Sequence, residues 1–417
     1  MIQARPRLRH QRGLALLILL ALLGVLATVL ILKITASASA TVDQDTQSVR
    51  AMGAARAALI ARAVLDQVSP GSLPCPDVNN DGVADPEPLP PGGACAAYIG
   101  RLPWQTLGLP DLRDGYGERL WYVLSPAFRR DAVNAPINSD TPGQLTLSGL
   151  SPLNNVIAIV FSPGPAMGAQ QRDAASQNAV ANYLEGLNAT GSPGPPGNFT
   201  YEAQQLSGTF NDRMLPITSD MLFPAVERRV AREARNCLVQ FSQQVGANNR
   251  FPWAAPLTDT VNFADSPLSL HQGRIPWVLA NTNASLGTAG LAWVPPCFAT
   301  TWWTNWRELL LYHVSQAYEP DTTIPVGCGV NCLTVNGIAS AKFVVIVAGR
   351  AFTANPNEST RPINKTIASN YLEVDPASGV DNSLMIGIYV KAPERLTPAA
   401  NFNDRLECVQ DIGTWPC

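Results

Sequence analysis

Five short motifs occur twice in this chain, in the same order, and that repetition constrains the fold more than any other feature. Gly100-Arg101-Leu102-Pro103-Trp104 returns as Gly273-Arg274-Ile275-Pro276-Trp277, and Trp121-Tyr122-Val123-Leu124-Ser125 returns as Leu311-Tyr312-His313-Val314-Ser315. The apolar run Val156 to Val160 matches Phe343 to Val347; Asn182-Tyr183-Leu184-Glu185 matches Asn370-Tyr371-Leu372-Glu373; and Phe210-Asn211-Asp212-Arg213 matches Phe402-Asn403-Asp404-Arg405. Subtracting positions gives offsets of 173, 190, 187, 188 and 192. Five matches in one order point to an internal duplication. The expected organisation is a first module over 69–220, its helix supplied by 49–68, and a second over 221–417.

Each module opens on a helix. Met52, Ala55, Leu59 and Ala63 recur at spacings of three and four, and so do Val226, Val230, Ala234, Leu238, Phe241 and Val245 in a second helix beginning near Pro224. Leu73-Pro74 and Phe251-Pro252 follow the two helices at corresponding places. Proline-rich loops and short apolar strands come next, the last strand of the second copy being expected over 384–390. This order reads as an α+β fold, with two tandem modules whose antiparallel sheets each pack on a helix. The Pro-Trp and Trp-Tyr pairs are read as repeated core anchors.

The N-terminus is a different kind of segment. Arg5, Arg7, Arg9 and Arg12 form a basic leader over 1–13, and from Leu14 to Leu32 nothing is charged or strongly polar. As a helix that run is roughly 28 Å long, close to a bilayer's hydrocarbon thickness. The expectation is a single-pass inner-membrane protein spanning at 14–32, with its N-terminus cytoplasmic and its bulk periplasmic by the positive-inside rule. With no proline between Leu14 and Ser69, the helix is expected to run on to about Val68, where Pro70-Gly71 stops it. Three fates fit the segment: a retained anchor, a secretory signal cut after the Ala36-Ser37-Ala38-Ser39-Ala40 stretch, or a cut at Gly13-Leu14 that leaves the apolar helix on the mature chain.

The junction Arg12-Gly13-Leu14 followed by an apolar helix resembles the N-terminus of type IV prepilins and of type II secretion pseudopilins. The resemblance implies processing between Gly13 and Leu14 by a prepilin peptidase, a long pilin-like helix carrying an α+β head, and assembly with other pilins or pseudopilins through that helix. Most members carry glutamate at the fifth mature position, where this chain has Ile18. That glutamate pairs with the neighbouring subunit's amine, so its absence suits a subunit with no neighbour above it. The expected function is a minor pilin or pseudopilin at or near a filament tip, exposed at the surface after assembly, with a structural or adhesive role. The alternative is a single-pass membrane-anchored envelope protein, binding or adhesin-like, outside any filament.

The rest of the chain narrows the chemistry. The formal charge of −3 becomes about −7 by subtraction once the four leader arginines are set aside, which argues against nucleic acid as a partner. Eight cysteines in an exported chain suggest disulfides, with Cys75–Cys95 and Cys328–Cys332 the expected local pairs. Closing the first loop is worth about 3 kcal/mol in the chain-entropy account. Asp77, Asn79, Asp81, Val83 and Asp85 have the spacing of the opening of a calcium loop, with Gly82 at its turn, so structural Ca2+ is a candidate ligand. Catalysis has little support: there are three histidines, of which His313 sits in an apolar run, and no nucleophile elbow or phosphate loop. An enzyme is not expected. Trp302, Trp303 and Trp306 either fill the second module's core or form an aromatic contact surface.

Overall fold

The computed structural model describes residues 12–87, 93–130, 136–190, 199–288, 290–298, 301–321, 327–352, 355, 357–361, 363–391, 401–411 and 417, except for the side chains of 12–15, 31, 34–39, 301 and 360. Helix α1, Arg12–Leu65, comprises 54 residues and is about 80 Å long. Asp66 ends it: one carboxylate oxygen accepts the N–H groups of Val68 and Ser69 at 3.0 and 2.8 Å, and the other takes Arg62 at 3.0 Å. Gly71, at φ +101°, then turns its N–H back to the carbonyl of Ala63 at 2.9 Å. A Cβ there would stand 3.0 Å from Ile137, so glycine suits both the backbone and the space.

The membrane-spanning expectation for 14–32 is corrected. Among the described residues no helix is long and apolar enough to cross a membrane. Apolar side chains are described without interruption over 16–30, about 22 Å of helix. A crossing needs about 30 Å. The single-pass inner-membrane placement, with its cytoplasmic N-terminus and periplasmic bulk, loses its support with it.

The fold is α+β. Strands β1 (Ile99–Arg101), β2 (Trp121–Leu124), β3 (Leu145–Gly149), β4 (Leu153–Val156), β5 (Ala158–Ser162), β6 (Thr200–Ala203) and β7 (Arg213–Ile217) follow α1, with the short helix α2 (Gly186–Thr190) between β5 and β6. One antiparallel sheet has the order β1-β2-β5-β7, and a smaller one the order β4-β3-β6, its β3–β6 pair being parallel. Helix α3 spans Ser219–Ser242 and begins five residues before the expected start, so that Pro224 lies inside it. Met221 and Leu222 donate to the carbonyl of Thr218, so the first turn closes ahead of the proline.

After α3 come β8 (Gln272–Arg274), the short helices α4 (Ala280–Ser285) and α5 (Thr301–Trp306), β9 (Leu310–Val314), β10 (Leu333–Val335), β11 (Ile338–Val347), β12 (Ile388–Tyr389) and β13 (Arg405–Gln410). Strands β8, β9, β11 and β13 lie side by side in the order of β1, β2, β5 and β7. Strand β10 is antiparallel to β11 and parallel to β12, as β3 is to β4 and β6. The halves differ at one point. In the first, Ile157 separates β4, which contains Asn155 at φ +56°, from β5; in the second, β11 continues for ten residues and unites all six strands. The strand expected over 384–390 is shorter, because a 3-10 turn occupies Asn382–Leu384.

Helix α1 packs on β5 and β7, α3 packs on β11 and β13, and the two helices pack on each other. Met52, Ala55, Leu59 and Ala63 are buried, as are Val226, Val230, Ala234 and Leu238, and one apolar cluster runs through both halves. Leu59→Ala is expected to cost about 2–5 kcal/mol in chemical denaturation, as a cavity in a packed core does. Leu26→Ala, at a position 71% exposed, should change stability by less than about 0.5 kcal/mol. Equal effects would contradict this division of the helix.

Candidate functional site

Helix α1 divides into two surfaces. Its C-terminal half, from Ser48 onward, buries one face in the head, and Asp45 holds Arg213 of β7 at 2.5 Å. Its N-terminal half exposes Leu16, Leu19, Leu20, Leu23, Leu26 and Leu30 at 55–71%. Gly13 and Leu14, the expected processing junction, stand in the first turn with their side chains outside the described residues.

The loop Asp77 to Asp85 is closed by its own backbone. Asp77 accepts the N–H groups of Asn79, Asn80 and Gly82 at 3.1, 2.6 and 2.7 Å. Asn79 accepts from Asp81 at 2.9 Å, Asp81 from Val83 at 2.7 Å, and Asp85 from Val78 at 2.7 Å. Gly82, at φ +89°, lies so close to Trp104 that a Cβ would stand 2.5 Å from the indole. Burial raises the Asp77 carboxyl above its ordinary value, against the pull of its N–H donors. Among the described residues no group of three or more His, Cys, Asp or Glu side chains is placed to hold a metal ion. The side-chain oxygens of Asp77, Asn79, Asp81 and Asp85, the candidates for calcium, accept N–H groups of the loop. Beside this loop Cys75 is bonded to Cys95; Cys328–Cys332, Cys237–Cys297 and Cys408–Cys417 are the other bridges.

The aromatic contact surface is corrected. Trp302, Trp303 and Trp306 are 4, 3 and 0% exposed. Phe298 meets the first two at 5.6 and 4.4 Å, and Phe223 of α3 meets Trp306 at 6.1 Å. Large rings on one short helix gain most by filling the core beside α3. The Pro-Trp pairs are also less buried than expected: Trp277 is 42% exposed and stacks on Trp303. His313 is buried, with its Nδ1 2.5 Å from the Tyr389 hydroxyl, and burial lowers its pKa to about 4.

The repeated polar residues build one network twice. In each half an arginine from the Gly-Arg motif and a second arginine flank the tyrosine of the Asn-Tyr-Leu-Glu motif. Arg101 and Arg172 lie 4.1 and 4.8 Å from the Tyr183 ring, and Arg274 and Arg361 lie 5.3 and 5.0 Å from that of Tyr371. Arg172 donates to the carbonyls of Gly164 and Asn182, and Arg361 to those of Gly349 and Asn370. The duplicated motifs contain Arg101, Tyr183, Arg274 and Tyr371, whereas Arg172 and Arg361 lie outside them. The signal for Arg101 and Arg274 was a buried-looking arginine recurring beside glycine.

The glutamate of the same motif faces the aspartate of Phe-Asn-Asp-Arg. Asp212 accepts from the Glu185 N–H and the Asn188 amide, both at 2.9 Å; Asp404 accepts from the Glu373 N–H at 3.4 Å and the Asn382 amide at 3.0 Å. Burial, then the charge of Glu185, raises Asp212 to about 8. The second copy is more crowded with acid. Gln170 donates to Glu185 at 2.8 Å, but Glu358 takes the corresponding place beside Arg361, 3.4 Å away. Burial, then the charge of Asp404, pushes Glu373 up to about 10, and burial raises Asp404 to about 7. The second pair therefore holds a proton in the native state.

Two expectations follow. Asp77→Ala removes the acceptor of three loop N–H groups and should destabilise by about 2–4 kcal/mol. Thermal unfolding should show the same loss with calcium and with chelator; a loss confined to the calcium sample would support a bound metal. The raised pKa of Glu373 contributes stability that is full below the unfolded carboxylate value, near 4, and is lost as pH rises through about 10. Glu373→Gln, which stays neutral, should flatten that decline and gain about 1–2 kcal/mol over the parent at pH 9. Parallel pH–stability curves would refute the shared proton.

No protein-family model, no curated protein and no solved structure matches this chain.

Proposed function

We propose that this chain is a minor pilin-like or pseudopilin-like subunit at or near the tip of a type IV pilus or type II secretion filament, processed after Gly13 and joined to sibling subunits through α1. The observation that carries the reading is the divided surface of α1. One stretch of the helix is built into the head, while the stretch before it exposes leucine after leucine. A helix apolar all round requires a partner, since contiguous exposed apolar area marks an interaction site. Burying each leucine against another helix is worth about 1.5–3 kcal/mol before ordering costs. A sibling helix laid alongside supplies that burial.

Two further features support a terminal position. Ile18 replaces the carboxylate that shaft subunits use on a neighbour's amine. Two helix-and-sheet halves also make a bulky head, and the end of a fibre has more free volume than its shaft.

The test is the mature N-terminus together with assembly. Mass spectrometry of chain recovered from filaments should find Leu14 as the first residue. Leu23→Lys and Leu26→Lys together should leave the head's melting temperature unchanged while reducing recovery with sheared filaments at least about tenfold, because unpaired charge in an apolar interface costs several kcal/mol. Normal incorporation of the double variant, or a mature chain beginning downstream of α1, would overturn the proposal.

A further inference from the structure

The two copies of the arginine–tyrosine–arginine stack do not end alike. In the second, the assembly is sealed by its own carboxylate. Glu308 accepts from the Tyr371 hydroxyl at 3.0 Å and from the Lys365 ammonium at 2.7 Å, while Arg274 donates to the carbonyls of Glu308, Leu257 and Lys365 at 3.0, 2.7 and 2.5 Å. In the first copy the corresponding bond from Arg101 to the carbonyl of Gln177 remains, at 2.8 Å. Gln177 stands where the second copy has Lys365, so no cation there draws an acid inward. Glu118, the counterpart of Glu308, lies 3.3 Å from Arg172 instead. Arg101 is 4% exposed and its Nε has no partner among the described residues.

A cleft of about 290 Å³ opens at this place. Arg101, Arg113, Arg119 and Arg172 line it with Gln177 and Tyr183. The acids Glu118 and Asp173 also reach it, and Asp111 binds Arg113 and Arg119 from behind at 2.8 and 2.9 Å. Four cations against three anions leave one positive charge. Asn80 ties the rim together, taking Arg119 on its side-chain oxygen at 2.8 Å and donating to Gln177 at 2.7 Å. Ala174 is the one small apolar residue in the lining, which is otherwise guanidinium, amide, carboxylate and the Tyr183 phenol ring.

We propose that this cleft binds the carboxylate of an acidic sugar, a uronic acid residue. The second half supplies the template, since there an internal carboxylate meets the tyrosine hydroxyl, whereas in the first half Glu118 turns to Arg172 and, among the described residues, no carboxylate accepts from Tyr183. Guanidinium forks match a carboxylate's two oxygens, and an arginine already stacked on aromatic rings is oriented for it. A wall of amides and charges suits the hydroxyls of a sugar and offers little to an apolar side chain. The volume lies near the lower end for ligand pockets, about 300 Å³, which favours a single ring. The site goes beyond the filament role and needs neither processing nor assembly.

The experiment is a titration of the full chain with galacturonate, with galactose and acetate as separate arms, followed by ligand-observed NMR and calorimetry. Galacturonate should bind in the millimolar range, galactose should not bind, and acetate should bind more weakly than the uronate. Arg113→Ala, at a half-exposed position outside the buried stack, should weaken uronate binding about fivefold or more while leaving the melting temperature unchanged. Arg50→Ala, on the exposed side of α1, should leave binding unaltered. Binding of galactose as tight as that of galacturonate, acetate equal to the uronate, no saturation with galacturonate, or indifference to Arg113→Ala would each overturn the assignment.

Discussion

The contact between α1 and α3 is the constraint on which the rest of the structure depends. Each helix covers one sheet, and each also needs the other. Phe223 of α3 meets Phe128 of the first half at 6.0 Å and Trp306 of the second at 6.1 Å. Arg229 donates to the carbonyl of Asp66 at 2.6 Å, fixing the end of α1 against the side of α3. Polar groups caught in this junction are satisfied across it. Ser139 donates to Glu227 at 2.7 Å, and Asp140 pairs with Arg361 at 2.9 Å. Burial raises Glu227 to about 7 despite Ser139 and Arg405. Losing Ser139 would take a donor from the buried Glu227, and losing Asp140 would take an anion from the buried Arg361, so the halves are tied by the cost of separation as well as by apolar area.

Within each half the polar network acts as a second fastener. Backbone groups of long irregular loops would be left without partners if no side chain reached them. Arg172 and Arg361 meet that need by donating to carbonyls on two loops at once, and Asn188 and Asn382 pair with the backbone of Glu202 and Val390. Tyr122 and Tyr312 reach the carbonyls of Pro74 and Pro252 in the same way, at 3.3 and 3.0 Å. The repeated residues are thus mostly those that close loops on the sheet, so they recur while the intervening loop lengths vary.

That distinction explains what could be read from the sequence. The helix stripes were legible because burial follows the helical period, and Met52 to Ala63 lie on the buried face. The strands were legible where both faces are covered, as at Trp121 to Leu124 and Phe343 to Val347. The short bridges Cys75–Cys95 and Cys328–Cys332 follow from separations of 20 and 4, whereas Cys237–Cys297 joins α3 to a loop at a separation of 60. Three things were hidden. A tryptophan cluster has the same letters inside or outside, and only Phe298 and Phe223 decide that Trp303 and Trp306 face inward. The 77–85 spacing fits oxygens turned toward a cation and oxygens turned toward the loop's own N–H groups equally well. Hydropathy sees the greasy run at the N-terminus, but among the described residues no helix is both long and apolar enough to cross a membrane.

Duplication also changes what each copy must do. Once α1 and α3 share a core, neither half has to satisfy every local requirement alone, and the two can diverge. The second half has moved toward self-sufficiency: its sheet is continuous, Glu308 closes its arginine stack, and Glu358 stands where the first copy keeps a neutral Gln170. The consequence is a native proton on Glu373 and a stability that declines in base. The first half retains Gln170 and leaves Arg101 and Tyr183 lining an open polar cleft, while burial and the charge of Glu185 raise its own Asp212 to about 8. A buried guanidinium with an unpartnered donor is costly in a protein interior. That cost is tolerable in one copy because the other copy and the joined helices hold the fold, and a bound carboxylate would remove it.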